Sequence, residues 1–524
     1  IETIIEVMKG SEKFTDSEIV SMYEDIISNN EEPMSYKNME DFGFVRGDNI
    51  PFKNLKEEIN YFTLIIRLEN SGISKTKTGF KLSPPKFADY TYSRVNIVCT
   101  STDDFYVYCK KGVYKAIDKD ELSRIVYYLM NEISNEIWKT SFETQAVRAI
   151  QMSCPHINVM NENRNLINLS NGIFNLETFE LIPHSPEYYT SIRIDINYNE
   201  KADCPRFLLY MDQITCGKKA LQMVLQELMG YCLTAETRAE KAFILYGRGS
   251  NGKSVFAKII TMLAGEENVS NIPLKHFNDK FGLETLENKT VNIATETEVE
   301  GFKFNTEGLK SSTSGDRMHL QRKFKKGKDV IPIAKMIFLT NNLPIVSDTT
   351  KGYLRKIHII PFNAEFKSDS TDANYKLDNT LIEKLQLEKE GILQYALEGL
   401  KRLKENNYQF TKCDVIDDAL VNYEKEINPT IEFFEDNIEI CPGGHTHRPD
   451  VFKKFKEWLV KTGKLEWTNI KTQQFWTMFE QTMAKNGIKY ETKKINGHMK
   501  VLGIKFKDTL NCNDFNDLTF DFGN

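Results

Sequence analysis

Residues 241–265 read KAFILYGRGSNGKSVFAKIITMLAG. KAFILY is the apolar run of a strand buried on both faces, and VFAKIITML repeats its apolar residues at helical spacing. Between them Gly247, Arg248, Gly249, Ser250, Asn251, Gly252, Lys253 and Ser254 spell GxxxxGK[ST] in the strand–loop–helix setting that a phosphate-binding loop requires. Glycines let the backbone turn tightly enough for its N–H groups to face one point, and the helix N-terminus adds positive potential there. The expected ligand is the triphosphate of ATP, with Lys253 reaching the β- and γ-phosphates and the Ser254 hydroxyl binding Mg²⁺.

Hydrolysis at such a loop needs carboxylates on a neighbouring strand. KTVNIATETE supplies them, as a strand Val291–Thr295 followed by Glu296 and Glu298. Glu296, at the strand end, is the first choice for the Mg²⁺ shell. Which of the two acids activates water stays open, and Glu298 also reads as a solvated loop residue. AKMIFLTNNLP then gives an apolar strand, Met336–Thr340, whose tip carries Asn341, an amide able to sense a γ-phosphate, although Asn-Asn-Leu-Pro is equally a good turn. GYLRKIHIIPF sets Arg355 and Lys356 before another short strand. A cation from one subunit can stabilise phosphoryl transfer in the next, and Arg is the better fork for it, with Lys356 left as the alternative.

Strands and helices alternate from 241 to 362, the pattern of a βα nucleotide-binding core. Upstream, SEIVSMYEDIISN (17–29) reads as an amphipathic helix, DFYVYCKKGVYKAI as a hairpin with a Lys-Lys-Gly turn, and DELSRIVYYLMNEI as a helix. NLSNGIFNLETFELI reads as short strands with Asn-Gly punctuation, and 205–240 as a helical block. Residues 371–425 are helical and charged, and 430–510 form a small helical domain ending in a β-hairpin.

The 524 residues imply several domains, and 40% hydrophobic with 27% charged residues is ordinary for a globular protein without a membrane span. The chain starts at Ile1 rather than Met, as a trimmed start would, and its first residues carry acids and no apolar leader. Nine cysteines without a CxxC pair fit a reducing cytoplasm rather than a disulfide framework. Cys441, His445 and His447 read as a polar loop rather than a metal cluster. Residues 1–200 offer no convincing acid triad or zinc-binding cysteine set, so primase activity is not expected. A net charge of −6 excludes a wholly basic nucleic-acid coat, so DNA contact must come from local patches. One is Arg322–Lys328, RKFKKGK, with five cations in seven residues. It reads as a hairpin in which Met318–Phe324 pairs with Val330–Ile333, presenting Lys323, Lys325, Lys326 and Lys328 to phosphates. The other is 451–510, where thirteen Lys face five acids. Its Trp458, Phe475, Trp476 and Phe479 read as core rather than as base-stacking platforms.

The series GRGSNGKS, NIATETE, LKSSTSGDRMHLQRKF, FLTNNLP and LRKIHIIPF resembles superfamily 3 helicases of the phage and plasmid primase–helicase type, related to the poxvirus primase–helicase. The nearest subset is the replication initiator helicases of staphylococcal pathogenicity islands and cassettes. The likeness covers roughly 106–365, and 430–510 is more weakly similar to the winged-helix domain that follows. It departs from many relatives in having Arg355-Lys356 instead of two arginines, and in the Thr297 between its acids.

The resemblance implies a multidomain α/β chain. Residues 1–105 would be a mostly helical accessory domain, 106–204 an α+β domain, and 205–370 an AAA+-like P-loop ATPase core with a helical collar. Residues 371–430 would be a helical lid or linker, 431–510 a winged-helix DNA-binding domain and 511–524 an acidic tail. It also implies an ATP- and Mg²⁺-dependent homo-hexamer that initiates replication of a mobile element in a bacterial host. The ring would move on single-stranded DNA, 3′ to 5′, with the basic hairpins in its channel. Origin duplex and host replication proteins would be further partners. The competing expectation is an origin-recognition ATPase that melts DNA and recruits a host helicase without unwinding processively.

Overall fold

The computed structural model describes residues 64–507 except 280, 297–302, 305, 322–326 and 347–350. The helix expected at 17–29, Glu298, the cations Lys323, Lys325 and Lys326, and the tail 511–524 lie outside those residues. The described chain divides into two compact units. The first draws on residues up to Glu162 together with Ser185–Ser191, and the second on Asn163–His184 together with Ile192 onward.

In the first unit β1 (Ile73–Thr76) and β2 (Gly79–Leu82) form a hairpin, and α1 (Pro84–Arg94) leads to β3 (Ile97–Thr100). The two prolines that open α1 sit where a missing N–H costs nothing. β4 (Phe105–Cys109) and β5 (Val113–Ile117) pair across Lys110-Lys111-Gly112, the hairpin read from the sequence. α2 (Lys119–Ile133) starts on a capping box. Glu121 N–H donates to Asp118 Oδ1 at 2.8 Å, and Asp118 N–H to Glu121 Oε2 at 3.0 Å. Its Leu122, Val126, Leu129, Met130 and Ile133 are buried, the spacing of one helical face. α3 (Thr140–Ser153) returns the chain to β6 (His156–Ile157), which lies parallel to β3 and completes a sheet of order β5-β4-β3-β6. The domain boundary expected between 105 and 106 therefore falls inside a sheet. Four- and five-residue strands are too short to stand alone, and β3 takes its partners from beyond that position.

The second unit begins with an antiparallel meander of β7 (Leu166–Leu169), β8 (Gly172–Asn175) and β9 (Glu180–Ile182), then α4 (Pro205–Ile214) and α5 (Lys219–Cys232). The helical block expected over 205–240 stops at Cys232. Beyond it the buried Glu236 carboxylate accepts the N–H groups of Thr237 (2.9 Å) and Arg238 (3.1 Å) and holds a turn instead.

Next come β10 (Ala242–Tyr246), α6 (Lys253–Ala264), β11 (Val269–Ser270), β12 (Val291–Glu296), β13 (Lys303–Phe304), α7 (Glu307–Ser314), β14 (Met318–Leu320), β15 (Lys328–Val330), β16 (Lys335–Thr340), β17 (Ile345–Val346), α8 (Lys351–Leu354) and β18 (Ile357–Pro361). Five of these strands form a parallel sheet of order β11-β12-β16-β10-β18. Every residue of β16 is buried, as are Ala242–Leu245 of β10, which is why both read as continuous apolar runs. The helices α9 (Leu381–Gln386), α10 (Lys389–Glu405) and α11 (Asp414–Ile427) follow. α10 lies so close to α5 that a Cβ on Gly230 would stand 2.3 Å from the Ala396 carbonyl, and one on Gly399 2.3 Å from that of Gln226.

The chain then forms α12 (Thr430–Asn437), β19 (Ile438–His447), α13 (Arg448–Lys461), α14 (Thr472–Lys485), β20 (Thr492–Ile495) and β21 (His498–Phe506). The hairpin expected at the end is β20–β21, but the sheet has a third strand, in the order β19-β21-β20. β19 holds Cys441, His445 and His447, which the sequence placed in a polar loop. Pro442-Gly443-Gly444 reads as a turn, yet the sheet absorbs it as a register shift between Ile440 and His445. Trp458, Phe475, Trp476 and Phe479 are buried in one cluster. Among the described residues no helix is long and apolar enough to cross a membrane.

Lys335 opens β16 with its side chain buried. Its Nζ donates to the Thr234 and Ile333 carbonyls and sits 4.8 Å from the Tyr231 ring centroid. Burial, the largest influence, pushes its ammonium down to about 7. The unfolded chain, at the usual 10.5, therefore binds more protons than the folded one between these values. The cost of this lysine is thus full below pH 7 and is relieved as pH rises from about 7. Melting followed at pH 6.5, 7.5 and 8.5 should show Lys335→Met with a flatter stability–pH slope than wild type; equal slopes would place the charge elsewhere.

Candidate nucleotide site and basic hairpin

The loop between β10 and α6 leaves the carboxyl end of β10 and reaches a helix that starts at Lys253. Gly247 and Gly252 have φ of +157° and +89°. A Cβ on Gly247 would lie 2.4 Å from Asn251 Nδ2 and 2.6 Å from the Phe362 carbonyl, and one on Gly252 2.6 Å from Ile214 Cγ2. Both positions therefore demand glycine for conformation and for space.

Remote elements pin the loop. Asn251 Nδ2 donates to the Phe362 carbonyl at 3.1 Å, and Phe366 N–H to the Ser250 carbonyl at 2.7 Å. Tyr210 of α4, wholly buried, donates its hydroxyl to the Gly252 carbonyl at 2.9 Å. Burial raises the Tyr210 phenol far above its ordinary value, so it stays protonated and keeps the proton that it donates to the loop. Sequence reasoning missed Tyr210, Phe362 and Phe366, because groups that meet the loop from other parts of the chain, two of them backbone groups, leave no spacing signal.

Lys253 is buried, and its Nζ donates to the Gly247 carbonyl, to Asn251 Oδ1 at 3.3 Å and to Asn341 Oδ1 at 3.3 Å. Burial lowers its ammonium from the usual lysine value. Asn341 immediately follows β16, whose last residue Thr340 is the register partner of both Tyr246 on β10 and Glu296 on β12. The acids were expected on a strand neighbouring the loop strand. The acidic strand is instead one place further away, because β16 lies between β10 and β12. Ser254 is exposed one residue into α6. Lys253, Ser254, Thr295, Thr340 and Asn341 border a cleft of about 1000 Å³, lined also by Arg206, Leu209 and Tyr210 of α4 and by Phe366, Leu377 and Asp378.

Arg355 stands elsewhere. It precedes β18, parallel to β10, so it lies at the amino edge of the sheet while the cleft opens at the carboxyl edge. Strands of five residues rise about 16 Å, which keeps Arg355 from the phosphate loop of its own chain. Its side chain is exposed, and among the described residues no carboxylate pairs with it. Lys356, the alternative, is buried. Its ammonium reaches Glu240 Oε2 at 2.7 Å and the Ser314 hydroxyl, which removes it as a surface finger.

Of the stretches expected to pair, the described strands cover Met318–Leu320 and Lys328–Val330, and Phe324 lies outside the described residues. β14 and β15 pair as Met318↔Val330, His319↔Asp329 and Leu320↔Lys328, braced by His319 Nδ1 and Asp329 Oδ1 at 2.8 Å. Lys328, expected among the tip cations, is a strand residue whose Nζ is engaged by Glu287. Its side chain, 11% exposed, is withdrawn from any phosphate.

Comparison with other proteins covers both units. Residues 86–216 match the family described as D5 N terminal like, and 245–356 a family of unknown function (DUF5906). "Putative helicase 121R" of Invertebrate iridescent virus 3 is 20% identical over 375 residues, which are 65% of this chain and 39% of the viral protein. "Putative helicase L207/L206" of Acanthamoeba polyphaga mimivirus is 24% identical over 348 residues, 58% of this chain and 34% of that protein. The chain thus spans well under half the length of these curated relatives. Among solved structures, the NrS-1 C terminal region (305-718) is 14% identical, covers 81% of this chain and all of its own, and superposes with a TM-score of 0.44. The chain is a mixed α/β protein of several parts, similar over more than half its length to viral proteins that carry the name helicase.

Proposed function

We propose that this chain is an ATP-driven DNA helicase of the superfamily 3 type that works as a ring in replication. The observation that carries the reading is Lys253 Nζ, 3.3 Å from Asn341 Oδ1 at the foot of the cleft. A phosphate-loop lysine and a polar strand tip thus converge on one point at the N-terminus of a twelve-residue helix. The lysine now bonds to a loop carbonyl and two amide oxygens, all acceptors that phosphate oxygens would replace. Ser254 and Glu296 are the residues proposed to hold Mg²⁺, which would neutralise the charge that develops in phosphoryl transfer. Glu296 or Glu298 orients the attacking water, and Asn341 registers the γ-phosphate.

The exposed Arg355 at the far sheet edge suits a finger offered to the next subunit, because it cannot serve its own. Lys323, Lys325 and Lys326, on the segment joining β14 to β15, are the proposed channel contacts with the phosphates of one DNA strand. The last domain, with two helices followed by a β-hairpin, is read as a winged helix for origin duplex.

Lys253→Ala and Arg355→Ala should each reduce DNA-stimulated ATP hydrolysis by roughly 10³-fold or more. Mixing the two inactive variants should restore turnover, since an intact loop then meets an intact arginine across some interfaces; no recovery in mixed assemblies would exclude the trans finger. On forks with 3′ or 5′ tails, the wild type should displace strands and Lys325→Ala/Lys326→Ala should not. Hydrolysis without displacement by the wild type would favour the origin-remodelling reading. Tyr210→Phe, which removes one hydrogen bond beneath the loop, should raise KM for ATP about fivefold, the equivalent of ~1 kcal/mol, with folding intact by circular dichroism.

A further inference from the structure

The first unit brings together three side chains that the sequence keeps far apart. Cys99 on β3 and His156 on β6 are direct register partners in a parallel pair, with the Cys99 N–H bonded to the Pro155 carbonyl at 2.9 Å. The chain leaves β3 through a turn closed by Asp103 N–H to the Thr100 carbonyl at 2.9 Å, and Asp103 takes a left-handed φ of +59° there. The result is a thiol, a carboxylate oxygen and an imidazole nitrogen all within 4.8 Å of one another.

We infer that Cys99, Asp103 and His156 form a binding site for a divalent transition-metal ion, with zinc as the best fit. Sulfur, nitrogen and carboxylate oxygen in one set favour zinc over magnesium or calcium, which take oxygen alone. Bond lengths of roughly 2.0–2.3 Å put ligand atoms on a tetrahedral ion about 3.5 Å apart, so the group must close by about 1 Å. Cys99 is buried, but Asp103 and His156 are exposed and free to close on the ion.

One hydrogen bond of the imidazole is already in place. His156 Nδ1 lies 2.7 Å from the Cys154 carbonyl. A carbonyl can only accept, so Nδ1 carries the proton and the lone pair of the neutral ring is on Nε2. Metal-binding histidines are commonly fixed by this kind of second hydrogen bond. The Cys99 thiol donates to the Thr100 carbonyl at 3.5 Å. Binding exchanges that S–H proton, released to solvent, for the metal–sulfur bond. Three protein ligands leave the fourth position to water. Nothing in this site depends on the nucleotide-site reading, since all three residues belong to the other unit.

The full chain, stripped by chelator and titrated with Co²⁺, tests the inference. It should take one equivalent with a thiolate-to-cobalt charge-transfer band and the visible bands of a tetrahedral ion. Cys99→Ser should abolish the charge-transfer band, and Cys216→Ser, at an exposed thiol, should keep it. His156→Ala, on the exposed side, should weaken cobalt binding by at least about tenfold while melting as the wild type does, which holds even if Cys99→Ser fails to fold. The absence of a charge-transfer band in the wild type, or a band unchanged in both Cys99→Ser and His156→Ala, would overturn the site.

Discussion

A lysine buried among backbone and amide oxygens needs a reason, and here the rest of the second unit arranges that burial. Lys253 can hold its position only because the loop in front of it is fixed from three directions, by Tyr210 on α4, by the Phe362 carbonyl after β18 and by the Phe366 N–H beyond it. A loop with three glycines at positive φ, Gly247, Gly249 and Gly252, is otherwise expensive to order. The contacts that stiffen it all come from the chain itself, and a loop so held leaves less ordering to accompany phosphate binding. The apolar sheet beneath is what lets those contacts come from such distant parts of the chain.

Parallel strands also divide the molecule's chemistry. All carboxyl ends of the sheet lie on one edge, where Lys253, Asn341 and the end of β12 meet. The amino ends lie on the other, where Lys335 is buried against backbone carbonyls, Lys356 is buried and paired with Glu240, and Arg355 is left exposed. A short strand is stiff, so no side-chain movement brings Arg355 across its own sheet. If that arginine takes part in phosphoryl transfer, it does so for another copy of the chain. The ring in the proposed function would supply that other copy.

How far the sequence could be read depended on range. β10, β16 and β18 were legible because strands buried on both faces must be apolar throughout, and the glycine-rich loop because its geometry tolerates few alternatives. α2 was legible from its periodicity, which its capping box reinforces. Pairing was not legible. The order β12-β16-β10 is a property of the sheet, and nothing in KTVNIATETE says which strand it lies beside. β19 was missed because Pro442-Gly443-Gly444 has the local chemistry of a turn, and only the long partner β21 makes a bulge of it. Lys328 looked like its neighbours in RKFKKGK until Glu287, remote in sequence, removed it from the set.

The same limit explains why a metal-binding set could pass unnoticed in a chain with no CxxC pair. Spacing rules find ligands that share a helix or a knuckle, where the local backbone does the positioning. Cys99 and His156 are positioned by a register between two strands, and the intervening hairpin and helices can vary in length without moving either residue. Asp103 joins them only because the turn after β3 folds back toward the Thr100 carbonyl. Binding an ion would tie β3, its turn and the very short β6 together at the sheet's edge, where two residues of backbone pairing are a weak hold. That edge gains most from a cross-link, so metal loading should be felt as stability of the first unit before it is felt in any chemistry of the second.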